Sequence, residues 1–234
     1  MSNVTELYGT WTSCTSLKHL NLSGWRPTDK LTDLSYTWNI CSSIESIGDI
    51  SDWDVSGAAS LRATWYRCES LKELNVKSWD VGNVTDMHGA WRRCYELTSL
   101  DLGGWDVRKV ADLSRAFEEC TKLEHLDLTG WAPESLTTLD QIFWLCPVLS
   151  GESIVQIASW DVTKLAPGNQ RVANQANNLT PEQYDAILLA WGAQDVQPGV
   201  TMQMTPAKYT AAGKPGRDAL IGKGWTIVDG GMVE

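Results

Sequence analysis

The chain has 234 residues, 43% of them hydrophobic, and a formal net charge of −10. That hydrophobic share supports a packed core and excludes a disordered chain, which combines low hydrophobicity with high net charge. An acidic surface repels phosphate, so neither nucleic acid nor an anionic membrane is an expected partner; nor is membrane insertion, for want of an apolar span.

The N-terminus, Met1-Ser2-Asn3-Val4-Thr5-Glu6-Leu7, has neither the basic segment nor the apolar run of a secretory signal. No apolar stretch approaches the roughly 20 residues that span a bilayer. The expectation is a soluble chain made in the cytosol. An exported protein stripped of its signal would read the same way.

From Leu7 onward one phrase recurs. Cys falls at 14, 41, 68, 94, 120 and 146, in steps of 27, 27, 26, 26 and 26. Three residues before each Cys stands an aromatic: Trp11, Trp38, Trp65, Trp91, Phe117 and Phe143. Three residues after each stands Leu17, Ile44, Leu71, Leu97, Leu123 or Leu149. A second Trp closes each unit, at 25, 53, 79, 105, 131 and 160. Before it lie alternating triplets such as Leu74-Asn75-Val76 and Leu100-Asp101-Leu102, which predict one short strand per unit. A fixed period of this length signals stacked coils that bury like residues in continuous columns. The segment from aromatic to Cys suits a short helical turn, with both side chains on one face. Asp-Val after the closing Trp reads as the turn into the next coil.

Two units break the period. The second carries an extra residue, with a bulge expected at Gly48 or Asp49. The sixth carries three extra residues around Ser150-Gly151-Glu152, with its strand expected near Val155-Gln156-Ile157.

The pattern aromatic-x-x-Cys-x-x-Leu-x-x-Leu-x-Leu-x-x-Trp-Asp-Val-x-x-Val-x-Asp-Met resembles the BspA-type leucine-rich repeat of bacterial surface proteins. Residues 65–113 match best, and the likeness spans roughly 7–165. The resemblance implies a right-handed solenoid with a parallel sheet on its concave face, and adhesion or recognition without enzymatic activity. Here Trp often replaces the family's Phe before Cys.

After Pro167 the pattern stops. Residues 168–178 are rich in Asn and Gln and read as a cap or connector. Thr180-Pro181-Glu182-Gln183 is a capping box with Pro at the first helical position, opening a helix to about Gln194. A strand at 200–204, a short helix at 215–223 ended by Gly224, and a strand at 225–228 complete the chain. This ending resembles repeat proteins among phage tail and virion components. At the other end six residues precede the first coil, so either the N-terminus folds back over it or, as the favoured expectation, a partner covers it.

The fold class is thus an α/β solenoid: a leucine-rich-repeat-like stack of six 26–27-residue coils with a parallel sheet, plus a small C-terminal α+β cap. The domains are a six-repeat solenoid at 1–166, a connector or cap at 167–178, and a helix-strand module at 179–234.

Most aromatic and Cys positions serve the repeat. Cys in like phase point the same way, which opposes bridging, and no zinc-ligand spacing occurs, so no metal site or cofactor is expected. Ten of thirteen Trp hold repeat phase and read as packing. Out-of-phase aromatics remain as candidate contacts: Tyr36, Tyr66, Tyr95 and Trp144, at positions expected to be exposed. The polar residues between strand leucines form two columns on a candidate binding face. One is Asn21, Asn75, Asp101 and Asp127; its neighbour is His19, Glu73, Ser99 and His125. No catalytic fingerprint occurs, and Asp86 and Asp112 read as turn formers, so no enzyme is expected.

The functional expectation is a structural and recognition subunit of a phage virion or tail, assembled in the host cytoplasm. It would dock to other virion or tail subunits by its N-terminal end, with a host surface protein or glycan as a further partner. The alternatives are a bacterial cell-surface adhesin lacking its signal and anchor, or a carbohydrate-binding module.

Overall fold

A computed structural model describes residues 4–174 and 178–233. Its architecture follows from how each coil divides its backbone hydrogen bonds. In the fourth coil the N–H groups of Gly89, Trp91 and Arg93 donate to the carbonyls of Ser114, Ala116 and Glu118 in the next coil, each at 2.9 Å. The N–H groups between them, on Ala90, Arg92 and Cys94, turn back to the carbonyls of Met87, Gly89 and Trp91, each at 3.1 Å. Half of the segment's donors bind its own turns and half bind the neighbour.

That division replaces the expected helical turn with consecutive β-turns. A helix would keep every N–H within its own segment, leaving none for the next coil. The turns require left-handed backbone two residues before and two after each leading aromatic. The first set is Gly9, Tyr36, Ala63, Gly89, Arg115 and Gln141; the second is Ser13, Ile40, Arg67, Arg93, Glu119 and Leu145. At about 1–2 kcal/mol per non-glycine residue, this conformation persists only because the inter-coil bonds and the core over-determine it.

The continuous parallel ladder also lies elsewhere than expected. Bridges run Glu6–Asp33–Ser60–Asp86–Asp112–Thr138 along the stack. Asp33, Asp86 and Asp112 each accept from the N–H two residues on, at 2.7, 2.8 and 2.8 Å, so they turn the chain at the ladder itself. Among the described residues of coils one to five, the Leu-x-Leu face carries β1 (Ser99–Asp101) paired with β2 (His125–Asp127), and a bridge between His19 and Ser46. Residues 73–76 of the third coil join no ladder among the described residues. The extra residue of the second coil explains the upstream gap. Gly48, at φ +76°, packs back on Asn21 and Ser23, and the Asp49 N–H donates to the Ser23 hydroxyl at 2.8 Å. The strand segment of coil two is thereby drawn toward coil one and away from coil three.

The core lies between these two faces. Trp11, Trp38, Trp65, Trp91, Phe117 and Phe143 stack with centroid separations of 5.5, 5.7, 5.6, 5.1 and 5.9 Å. The closing Trp form a second column, and Trp79, Trp105 and Trp131 donate their indole N–H to Ile50, Val76 and Leu102 one coil back, at 2.9, 3.1 and 2.9 Å. Such contacts combine large apolar burial with a fixed polar anchor.

At the C-terminal end the sixth unit departs from the expected strand. Ser150 caps α1 (Gly151–Val155), and a 3₁₀ turn follows over Gln156–Ser159. Helical backbone has no N–H or C=O left for the edge of β2, so side chains complete it. The Leu126 N–H donates to the Ser153 hydroxyl at 2.9 Å, the Leu128 N–H to the Gln156 carboxamide oxygen at 2.7 Å, and Gln156 Nε2 donates to the Leu126 carbonyl at 3.0 Å. The segment expected as a cap or connector contains a strand, and its residues 175–177 lie outside the described residues. β3 (Gly168–Ala173) pairs in parallel with β4 (Val200–Met204), which pairs with β5 (Thr226–Val228). Gln141 and Phe143 N–H donate to Arg171 and Val172 carbonyls at 2.8 and 3.0 Å, so β3 continues the stack. Helices α2 (Pro181–Gly192) and α3 (Lys214–Gly222) pack on each other, with the Thr180–Gln183 capping box opening α2.

Candidate functional site

The two polar columns do not form one surface. Glu73, Asn75, Ser99 and Asp101 line a crevice of about 450 Å³ where the third coil is unpaired. Lys77 crosses it to Asp101 at 2.6 Å. His125 and Asp127 line a separate depression with Ser150, Glu152, Ser153 and Gln156. His19 and Asn21 are exposed at the first coil and line neither. Within the Asn/Asp column, Asn21, Asp101 and Asp127 each accept from the N–H two residues on, at 3.0, 3.1 and 2.8 Å. Bonding to Thr129 also holds the Asp127 carboxyl below the usual carboxylate value. Turn formation therefore accounts for most of this column.

The four out-of-phase aromatics are half-buried rather than exposed, because guanidinium groups of the same face pack against them. Arg92 lies 5.2 Å over the Tyr66 ring and Arg171 5.9 Å over Trp144. Tyr95 stands beside Arg93 and Glu119, with burial raising its phenol above the ordinary value. Only Tyr36 and Tyr66 converge. Together with Asn39, Arg62, His88 and Arg92 they line a groove of about 340 Å³ on the turn face.

Local sequence makes this groove. The left-handed position two before the leading aromatic carries Tyr36, Arg115 and Gln141 in coils two, five and six, but Ala63 and Gly89 in coils three and four. The two small residues leave space on the groove floor. Its charges are internally balanced. Arg62 donates to the Tyr36 hydroxyl at 3.1 Å and to Asp86 at 3.0 Å, and Arg92 pairs with Glu118 at 2.7 Å. His88 accepts or donates at Nδ1 to the Ser114 hydroxyl, 2.7 Å away. Burial, helped by Arg62, holds its imidazole below the ordinary value against the pull of Asp112 and Asp86, so it is neutral at pH 7. Asn39 is 7% exposed, and its carboxamide bonds no described residue.

Sequence reading named Tyr36 and Tyr66 but missed Asn39, Arg62, His88 and Arg92. The available signal was the run of small residues at one repeat position, Ala63 then Gly89.

One family matches residues 1–73 and again residues 59–183, and it is described as Mycoplasma protein of unknown function, DUF285. The chain belongs to this family. The DUF285 family is associated with BspA-like repeat proteins, in line with the repeat read from the sequence. Its two matches overlap at 59–73 and extend through the six coils into the segment that holds β3. No curated protein and no solved structure matches the chain.

Among the described residues no group of three or more His, Cys, Asp or Glu is placed to hold a metal ion, and no helix is long and apolar enough to cross a membrane.

Proposed function

We propose that this DUF285 protein is a non-enzymatic recognition and docking subunit, a leucine-rich-type solenoid mounted on a phage virion or tail through its first coil. The observation that carries this reading is the difference between the two ends of the stack. In the second coil the carbonyls of Asp33, Ser35, Thr37 and Asn39 accept from Leu7, Gly9, Trp11 and Ser13. Their first-coil equivalents, on Glu6, Tyr8, Thr10 and Thr12, receive no N–H from any described residue. Trp11, Cys14, Leu17 and Trp25 are half-buried, whereas Trp38, Cys41, Ile44 and Trp53 are fully buried. Tyr8 is 60% exposed beside them. The last coil, by contrast, is closed by β3 and by amide side chains. An open coil edge with apolar surface is a template for a further strand-like segment.

The same edge suits a bacterial surface adhesin, a reading favoured by the family's association with BspA-like proteins. Site-specific photo-crosslinking separates the two. A benzophenone amino acid replaces Tyr8 in one variant and the exposed Leu189 in another, each made in the producing cell. An adduct with a virion structural protein from position 8 alone supports the proposal. An adduct with a cell-envelope protein supports the adhesin. Equal adducts from both positions, or none from position 8, contradict docking through the first coil.

A further inference from the structure

We propose that the groove between Tyr36 and Tyr66 is a binding site for a neutral sugar, in the size range of a mono- or disaccharide. The inference concerns the turn face and is independent of docking at the first coil.

The strongest indication is Asn39. The residue lines the groove and is 7% exposed, and neither carboxamide atom bonds a described residue. Neither amide atom is fully enclosed, so the carboxamide meets the groove's solvent, where a ligand hydroxyl can take the place of water. A carboxamide offers one acceptor and two donors, the complement of a vicinal pair of hydroxyls. The walls beside it are the two tyrosines; Arg92 already lies over the Tyr66 ring, so Tyr36 is the ring left to meet the C–H face of a pyranose. A volume of about 340 Å³ lies at the lower end of the range for small-ligand pockets, roughly 300–1,000 Å³.

Charge decides the class of sugar. Arg62 and Arg92 would suggest an acidic ligand if they were free. Both are committed, to Asp86 at 3.0 Å and to Glu118 at 2.7 Å, and Asp112 lies 3.9 Å from Arg62. A ligand carboxylate would have to compete with carboxylates already in place. Neutral hydroxyls meet no such competition and can use the neutral imidazole of His88 as well.

The groove also exists because coils three and four lack a side chain at one repeat position. Ala63, at φ +50°, sits where Arg115 and Gln141 sit at φ +60° and +63°. A long side chain is therefore compatible with this backbone, and Ala63→Gln should fill the groove without unfolding the chain.

The test uses saturation-transfer NMR and calorimetry on the full chain with methyl glycosides of glucose, mannose, galactose and N-acetylglucosamine. N-acetylneuraminate serves as the acidic comparison. At least one neutral glycoside should bind, with N-acetylneuraminate weaker. Ala63→Gln should abolish binding while the melting temperature stays unchanged. Asn39→Ala removes only the carboxamide and keeps the backbone carbonyl that accepts from Ser13, so it should weaken binding about ten-fold, the equivalent of one hydrogen bond. Failure of every neutral glycoside to bind would overturn the proposal. So would binding that survives in folded Ala63→Gln, or a preference for N-acetylneuraminate.

Discussion

The Cys94 thiol donates to the carbonyl of Trp65, the leading aromatic of the preceding coil, 3.3 Å away. The same bond recurs from Cys41 to Trp11, Cys68 to Trp38, Cys120 to Trp91 and Cys146 to Phe117, at 3.0, 3.2, 3.0 and 2.9 Å. The carbonyl lies beside the aromatic column, and a small, weakly polar donor satisfies it without bringing water inward. This explains why Cys, rather than Ser or Ala, occupies the position.

Thiol reactivity should follow the same division between the open first coil and the rest. Burial pushes the Cys41 thiol up to about 11 and Cys146 up to about 12, and Cys68, Cys94 and Cys120 well above the ordinary value. Cys14 is half-exposed and has no acceptor for its thiol among the described residues. Alkylation with iodoacetamide at pH 8 should modify one thiol rapidly in the native protein, mapped to Cys14 by mass spectrometry. All six Cys in the chain should react in denaturant.

The amide side chains that close the far end should matter to stability out of proportion to their exposure. Gln194 Oε1 accepts from the Val162 N–H and Gln194 Nε2 donates to the Trp160 carbonyl, both at 2.8 Å. Gln194→Ala strands both backbone groups. The expected cost is about 2 kcal/mol, a fall in melting temperature of roughly 4–8 °C for a chain of this size. Differential scanning calorimetry of the variant would measure it.

Acid should act in two windows. The folded state keeps His88 below its ordinary value, so the unfolded chain takes up that proton first as pH falls. The contribution is complete above the unfolded value near 6.5 and is lost on acidification through the depressed folded value. Carboxylates behave likewise at lower pH. Side-chain and backbone bonds from Arg108 hold Asp106 at about 2, and bonds from Ser56 hold Asp54 below its ordinary value. Their contribution is complete above about pH 4 and falls away toward pH 2. Urea midpoints at pH 7, 5, 4 and 2 should decline in both windows, and His88→Gln should flatten the first alone.

Column residues were legible in the sequence, because a residue that stacks on its own copy must recur at the repeat spacing. Trp91, Cys94, Leu97 and Trp105 fall in this class. The path of the backbone between columns was harder to read. Ala90 through Cys94 has helix-compatible spacing, and only the inter-coil bonds of Gly89, Trp91 and Arg93 show why β-turns win. Left-handed positions are camouflaged by Arg93, Glu119 and Leu145, which carry no glycine signal. Gln156 looked like strand sequence, yet its side chain supplies the edge that a strand's backbone would have supplied. The groove was half legible. Tyr36 and Tyr66 broke the repeat and drew notice, while Asn39 is polar at a variable position and only its burial gives it meaning.

The most direct test of docking through the first coil is native-state hydrogen exchange of the protein alone. Leu7, Gly9, Trp11 and Ser13 N–H bond toward coil two, and no described residue donates a backbone hydrogen bond to the outer carbonyls of Glu6, Tyr8, Thr10 and Thr12. Opening free energies should therefore be lowest in the first coil and rise through coils two and three to a plateau across coils four to six. A first coil as protected as coils four to six would mean that its edge is already covered, and would contradict the proposed docking.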